Sequence, residues 1–411
     1  MRGSSRTAFR WGKTLPHSRG ARISRRRQAR LPLHADAPAG APRHVYVHVP
    51  FCARRCSYCD FSIAVRRTVP VGEYIDALAR ELALRTSRGE RWQVDTLYLG
   101  GGTPSLLGAH GVLRVLEVLR SHFDLAPDAE VTLEANPDDV TASAITAWRA
   151  GGINRLSLGS QSFDDRVLGW MHRTHVAGQI GRAVELAREG GIADFSLDLI
   201  FALPAALERD WASDLELAVA LEPTHLSVYG LTVEPATPLG RWRDRGEAIE
   251  APEEEYESEF LAAHAALSAA GFDHYEVSSY AARGRRARHN SAYWRRVPYE
   301  GFGPSAHAFD GQVRRWNVAP YAEWVRRLQG GNDPLGGSER LSESDVLAEQ
   351  VYLGLRTTEG LPTPLVSPAQ LDLWQAAGWA SVRGETLALT PDGWLRLDAL
   401  AAGLTLIGSH Y

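Results

Sequence analysis

Six short apolar runs, rich in β-branched and aromatic residues, recur along the chain, and each is followed by a polar or glycine-rich turn. They are HVYVHV from His44, VDTLYLGGGTP from Val94, EVTLEANPDD from Glu130, INRLSLGSQSFD from Ile153, IADFSLDLIFALP from Ile192 and PTHLSVYGLTVEP from Pro223. Between them lie stretches with helical spacing, such as VGEYIDALARELALR, GVLRVLEVLRSHF and QIGRAVELAREGG. Strands separated by whole helices are crossover-connected and therefore parallel. Six such units predict an α/β fold, a partial (βα)6 TIM-like barrel.

In such a fold, ligands collect at the carboxyl ends of the strands. Polar residues or glycines stand there almost every time: Gly100, Gly101, Gly102 and Thr103 after the second run, Glu134 and Asn136 after the third, Ser160 and Gln161 after the fourth, and Asp198 within the fifth. Any one of these reads equally well as a helix cap or turn former. Their convergence from successive strands predicts a site.

The pattern changes past residue 250. EEEYESEFLAAHAALSAAGF reads as an amphipathic helix, and the stretch after it, containing RGRRARHNSAYWRR and GFGPSAH, has no clear period. LQGGNDPLGGSE reads as a glycine-rich linker, and the rest as helix, helix, short strand pair and helix, the outline of a small winged-helix-like unit. That unit has no basic stripe, so packing or gating is expected of it and nucleic-acid binding is not. The expected divisions are a leader at 1–43, a barrel at 44–280, a connecting segment at 281–335 and the C-terminal unit at 336–411.

Residues 1–43 hold eleven Lys or Arg against one acid, Asp36, which leaves the remainder at a formal charge of −14. An arginine-rich, acid-poor leader fits a transit peptide or a nucleic-acid-binding arm; a disordered tail or a start placed too far upstream is the expectation favoured here. No run reaches the ~20 apolar residues that span a bilayer, so a soluble, cytoplasmic protein is expected.

All three cysteines, Cys52, Cys56 and Cys59, fall within HVPFCARRCSYCDF. Structural zinc wants four ligands, and His48 is the nearby fourth. A redox Cys56–Cys59 pair leaves Cys52 unexplained. Three thiolates on a 4Fe-4S cubane leave one iron open, which can chelate S-adenosylmethionine and pass an electron into its sulfonium.

The Cys-x3-Cys-x2-Cys spacing, the aromatic Tyr58 before the last cysteine and the GGGTP strand end together resemble the radical S-adenosylmethionine superfamily. The resemblance implies a cluster on Cys52, Cys56 and Cys59, with Tyr58 near the adenine. YVHVPFC, LGGGTPS, LEANPD, LGSQSFDD, MHRTH and DLIFALP narrow it to the oxygen-independent coproporphyrinogen oxidase family. By that resemblance, Tyr46, Gly100, Gly101, Gly102, Thr103, Glu134, Gln161, Arg173 and Asp198 are cofactor contacts. The bare glycines let backbone groups approach the methionyl ammonium, and Arg173 offers a carboxylate a bidentate fork.

The decarboxylating oxidases of this family carry a further cysteine two positions after the third. Phe61 stands there, a departure that matches the heme chaperone branch, HemW. RHNSAYW, from Arg288 to Trp294, also resembles that branch, implying a heme site of His289, Asn290, Tyr293 and Trp294. His289 suits an axial ligand, the aromatic pair a macrocycle face, and Arg285, Arg286 and Arg288 the propionates. The expected function is heme transfer to an acceptor protein, in solution or at a membrane, with an electron donor for the cluster; an active oxidase or another radical enzyme is the alternative.

Overall fold

The computed structural model describes residues 42–86 and 91–406, so the basic leader lies outside the described residues except at its last two positions. The six runs form strands β1 (His44–Val49), β2 (Trp92–Gly101), β3 (Phe123–Ala135), β4 (Arg155–Gln161), β5 (Asp194–Phe201) and β6 (His225–Gly230). They pair in parallel in chain order, the partial barrel expected of them. The crossover helices include α1 (Val71–Arg85), α2 (Gly108–His122), α3 (Ala142–Ala150), α4 (Ala177–Glu189) and α5 (Trp211–Ala220). Caps fix where they begin: the Thr141 hydroxyl accepts from Ala144 N at 3.1 Å, and the Asp210 carboxylate accepts from Ser213 N at 3.1 Å.

Beyond β6 and α6 (Glu253–Ala269), the sheet is extended by an antiparallel pair, β7 (Asp273–Glu276) and β8 (Ser279–Ala281), with β8 next to β6. Helix α7 (Arg288–Trp294) follows, and β9 (Glu300–Phe302) returns to the opposite edge, parallel to β1. Strands β10 (His307–Phe309), β11 (Val313–Asn317) and β12 (Leu335–Arg340) form a second sheet. Part of the run read as a linker is thus an edge strand. LGGSER has the glycines of a linker, but its backbone pairs antiparallel with β11, with one register shift between Trp316 and Asn317, a tertiary match that local propensity does not report.

After α8 (Tyr321–Gln329), the chain ends in the winged-helix-like unit: α9 (Glu343–Arg356), α10 (Pro368–Ala376), a three-stranded sheet of β13 (Leu361–Pro362), β14 (Ala380–Arg383) and β15 (Thr386–Leu389), and α11 (Leu397–Leu406). This unit is not hung on a flexible tether. Val351, Leu355, Leu387 and Trp394 belong to the same apolar core as the barrel's Leu99, Leu133 and Leu197, and Trp394 Nε1 donates to Leu355 O at 3.0 Å.

Candidate functional site

The carboxyl ends of the strands open into a cavity of ≈ 2520 Å³. Single-ligand pockets run to roughly 1,000 Å³, so there is room here for more than one body. One wall carries the cysteines and strand ends, and the other is built from α7, β10, β11 and α9.

The cysteine loop leaves β1 and is pinned by its own backbone: Ala64 N donates to Pro50 O at 2.7 Å and Arg66 N to Cys52 O at 3.0 Å. All three thiols line the cavity. Thr103 Oγ1 donates to Cys52 Sγ at 3.5 Å, and the Arg173 guanidinium to Cys56 Sγ at 3.4 Å. Burial pushes the Cys59 thiol up to about 12 and raises that of Cys52, so the charged thiolate form calls for a bound cation.

Among the described residues, no three His, Cys, Asp or Glu side chains gather around a single-ion position. His48 is also excluded as a fourth ligand. Its Nδ1 lies 3.2 Å from the Tyr46 hydroxyl and its Nε2 3.0 Å from Ser62 O, so both ring nitrogens are engaged. Three thiols, each with a hydrogen-bond donor beside it, and no fourth protein ligand among the described residues, fit a cubane with one open iron better than a closed zinc site.

The glycine run is also constrained by packing within the protein. β1 is paired alongside it, His48 opposite Gly100 and Val49 opposite Gly101. A Cβ on Gly101, where φ is +116°, would lie 2.6 Å from the His48 ring, and one on Gly102 would lie 2.7 Å from Phe51 O. A Cβ on Gly100 would meet Tyr98 at 2.8 Å and Glu134 at 2.9 Å. At Gly101 and Gly102 the missing side chains make room for the end of β1 and the start of the cysteine loop, and at Gly100 for Tyr98 and Glu134. Gly101, Gly102 and Thr103 still face the cavity.

Glu134 accepts from the Tyr98 hydroxyl and from Gly101 N, each at 2.9 Å, and burial pushes its carboxyl up to about 7. Asp198, which accepts from Ser157 Oγ at 2.9 Å, is raised by burial too. Gln161 ends β4 in the left-handed region at φ +67° and lines the cavity. Tyr58 packs against the apolar cluster of Val167, Met171, Ile200 and Leu203 at the cavity edge. Arg173 departs from expectation. Besides Cys56, it donates to Asn136 Oδ1 at 2.6 Å and Gly159 O at 2.8 Å, which leaves only Nε unpaired and no open fork.

His289, Asn290, Tyr293 and Trp294 all line the same cavity, with His289 against β2. His289 is 1% exposed, however, and both its nitrogens are engaged: Nδ1 lies 2.7 Å from Thr96 Oγ1 and Nε2 2.8 Å from the Tyr293 hydroxyl. Its ring stacks on Tyr98 at 5.1 Å, and Tyr98 stacks on Tyr46 at 6.0 Å, so an aromatic column links the two walls. Without a rearrangement, His289 has no nitrogen to give a metal. The arginines read as propionate partners also lie elsewhere. Arg285 pairs with Asp194 and Arg286 with Asp273, while Arg288 donates to Asp128 O at 2.6 Å; none of the three lines the cavity.

A sequence model described as "Radical SAM superfamily" matches residues 46–218. The chain is 38% identical over 389 residues to the heme chaperone HemW of Mycobacterium tuberculosis, covering 93% of this chain and 99% of that one. The chain belongs to the HemW family of radical SAM proteins. It is also 37% identical to Escherichia coli HemW over 279 residues, 67% of this chain and 73% of that one. To the mitochondrial Radical S-adenosyl methionine domain-containing protein 1 of Mus musculus it is 35% identical, over 86% of this chain and 82% of that one. A solved structure of Escherichia coli coproporphyrinogen III oxidase (HemN) shares the fold, with a TM-score of 0.75 at 23% identity over 90% of this chain and 91% of that one. Among the described residues, no helix is long and apolar enough to cross a membrane.

The motif residues are open to sequence reading; what that reading misses is the cavity wall beside α7. Arg296, Tyr299, His307, Arg314 and Trp316 all line it. The signal was present in HAF and VRRWN, where alternate positions point one way, but runs of three and five residues are too short to separate a strand from a loop.

Proposed function

We propose that this protein binds heme and hands it to an acceptor protein, and that it carries a 4Fe-4S cluster on Cys52, Cys56 and Cys59 together with S-adenosylmethionine. The observation that carries the reading is that α7, with Asn290, Tyr293 and Trp294, lines the same cavity as the three thiols, in a chain of the HemW family. When bound, the cluster and S-adenosylmethionine supply one-electron chemistry. Tyr46, Tyr58, Gly101, Gly102, Thr103, Glu134, Gln161 and Asp198 form the cofactor wall, with Gly100 at its base. Glu134 is placed for the methionyl ammonium, and Arg173 braces Cys56. His289 fixes the Tyr293 hydroxyl, and Tyr293 and Trp294 cover a macrocycle face.

The partners of this reading are heme, an acceptor protein in solution or at a membrane, and an electron donor; the setting is the cytoplasm, and no nucleic acid is involved. The test is a hemin titration of the anaerobic, cluster-reconstituted protein, with coproporphyrinogen III as the parallel ligand. Saturable binding of one heme per chain and little response to the porphyrinogen is the expected result. Absence of heme binding, or decarboxylation of the porphyrinogen, overturns it.

A further inference from the structure

The wall beside α7 contains a constellation that the family motifs do not cover. On β10, His307 and Phe309 stand two residues apart and so share a face; across the ladder, Trp316 is opposite His307 and Arg314 opposite Phe309. All four line the cavity. The His307 and Trp316 rings stack at 5.9 Å, and the guanidinium carbons of Arg296 and Arg314 sit 5.2 and 5.6 Å from the Phe309 centroid. The surface is aromatic and apolar in the middle and cationic at one edge.

Two polar atoms on this surface are unsatisfied. The buried His307 Nδ1 has no hydrogen-bond partner, and neither has the buried Arg296 Nη2. Both atoms are enclosed by the protein, and an orphaned buried polar atom costs roughly 1–3 kcal/mol, so this wall gains from a shift that gives them a partner. The rest of the edge is committed: Glu349 takes Arg296 Nε at 2.9 Å and Arg314 Nη2 at 2.8 Å, and Glu339 lies 3.5 Å from Arg314 Nη1.

The cavity has four histidines to offer a metal: His48, His172, His289 and His307. His48 and His289 have both nitrogens engaged, and His172 sits next to Arg173 on the cysteine side, edge-on to Trp242 at 5.4 Å. His307 remains, on a rigid support. Gly303 N donates to the buried Glu81 at 2.8 Å, Asn317 Nδ2 donates to Gly303 O at 2.6 Å, and a Cβ on Gly301 would strike His307 O at 2.0 Å. Burial, aided by Arg314, lowers the His307 pKa to about 4, so its ring is neutral at physiological pH and keeps a lone pair.

We propose that His307, not His289, is the protein ligand to the heme iron, and that the Arg296 guanidinium receives a propionate of the same heme. This rests on the heme-binding reading above. The bond is dative: the imidazole lone pair enters the iron's axial position, displacing the weak axial ligand of free hemin, with no change of oxidation state.

The experiment is the hemin titration of the full-length, cluster-reconstituted protein, read by absorbance and by electron paramagnetic resonance for imidazole ligation. His307→Ala loses the imidazole signature and binds hemin about tenfold or more weakly, and free imidazole restores the signature. His289→Ala, weakened through Tyr293, keeps it. Arg296→Gln keeps it too but no longer prefers hemin over its dimethyl ester. Should His307→Ala fail to fold by circular dichroism, His307→Gln serves in its place. Wild-type protein that binds no hemin overturns the functional reading. Wild-type binding with an unchanged spectrum in the His307 variant overturns this inference alone.

Discussion

The Nε2 of His289 lies 2.8 Å from the Tyr293 hydroxyl, one turn along α7, while Nδ1 is held by Thr96 at 2.7 Å. The imidazole is therefore a bracket between β2 and the cavity wall. Replacing it with alanine leaves two buried hydroxyls without that partner and opens a cavity, a loss of ~2–4 kcal/mol in urea unfolding. Iron and sulfide per chain should stay at the wild-type level, because none of the groups touching His289 belongs to the cysteine loop. A variant with unchanged stability would remove the bracket role.

Gly101 combines a φ of +116° with a would-be Cβ 2.6 Å from the His48 ring. Gly101→Ala should cost ~1–3 kcal/mol through backbone strain and push His48 toward the cysteine loop, lowering the iron retained after reconstitution. Gly72→Ala in α1 is the contrasting variant. Nothing lies within 4 Å of its added methyl, so it should be neutral or stabilising by up to ~1 kcal/mol. Equal effects of the two substitutions on melting would contradict the packing account.

The six strands were legible because parallel strands buried on both faces read as continuous apolar runs, and the cysteine loop because its spacing is local. What escaped depends on pairing across the chain. No local pattern tells Arg286 that Asp273 will claim it, or Arg288 that the carbonyl of Asp128 will. Glycine marks any close approach, and the GGG turn is approached by Pro50, Phe51 and His48 at Gly101 and Gly102 and by Tyr98 and Glu134 at Gly100, contacts that the sequence does not announce. The Arg296 and His307 wall needs three short segments brought together, two of them strands of three and five residues, each below the length at which alternation is a signal.

Phe61 is 61% exposed at the rim of the cavity, two residues past Cys59. A cysteine placed there gains no buried donors and stands in water. Phe61→Cys should therefore leave iron per chain unchanged, add one thiol reactive to maleimide, and confer no consumption of coproporphyrinogen III. Extra iron with a protected fourth thiol would mean that the rim folds inward in a way this structure does not contain.

Glu134 gives the cofactor wall a pH dependence. Burial raises its carboxyl from 4.5 to about 7, with the nearby Asp198 adding to the rise. A raised carboxyl pKa means the folded protein holds its proton more tightly than the unfolded chain. The stability this contributes is complete below about pH 4.5 and is lost as pH rises to about 7, a difference of up to ~3 kcal/mol that Glu134→Gln should remove. The opposite slope holds for a cationic ligand placed against this carboxylate. An ammonium favours the ionised form, so its binding releases a proton and tightens as pH climbs from about 6 to 8. Anaerobic equilibrium dialysis of S-adenosylmethionine across that range should show affinity rising with pH in the wild type and flat in Glu134→Gln. A flat wild-type profile would place the ammonium elsewhere on the wall.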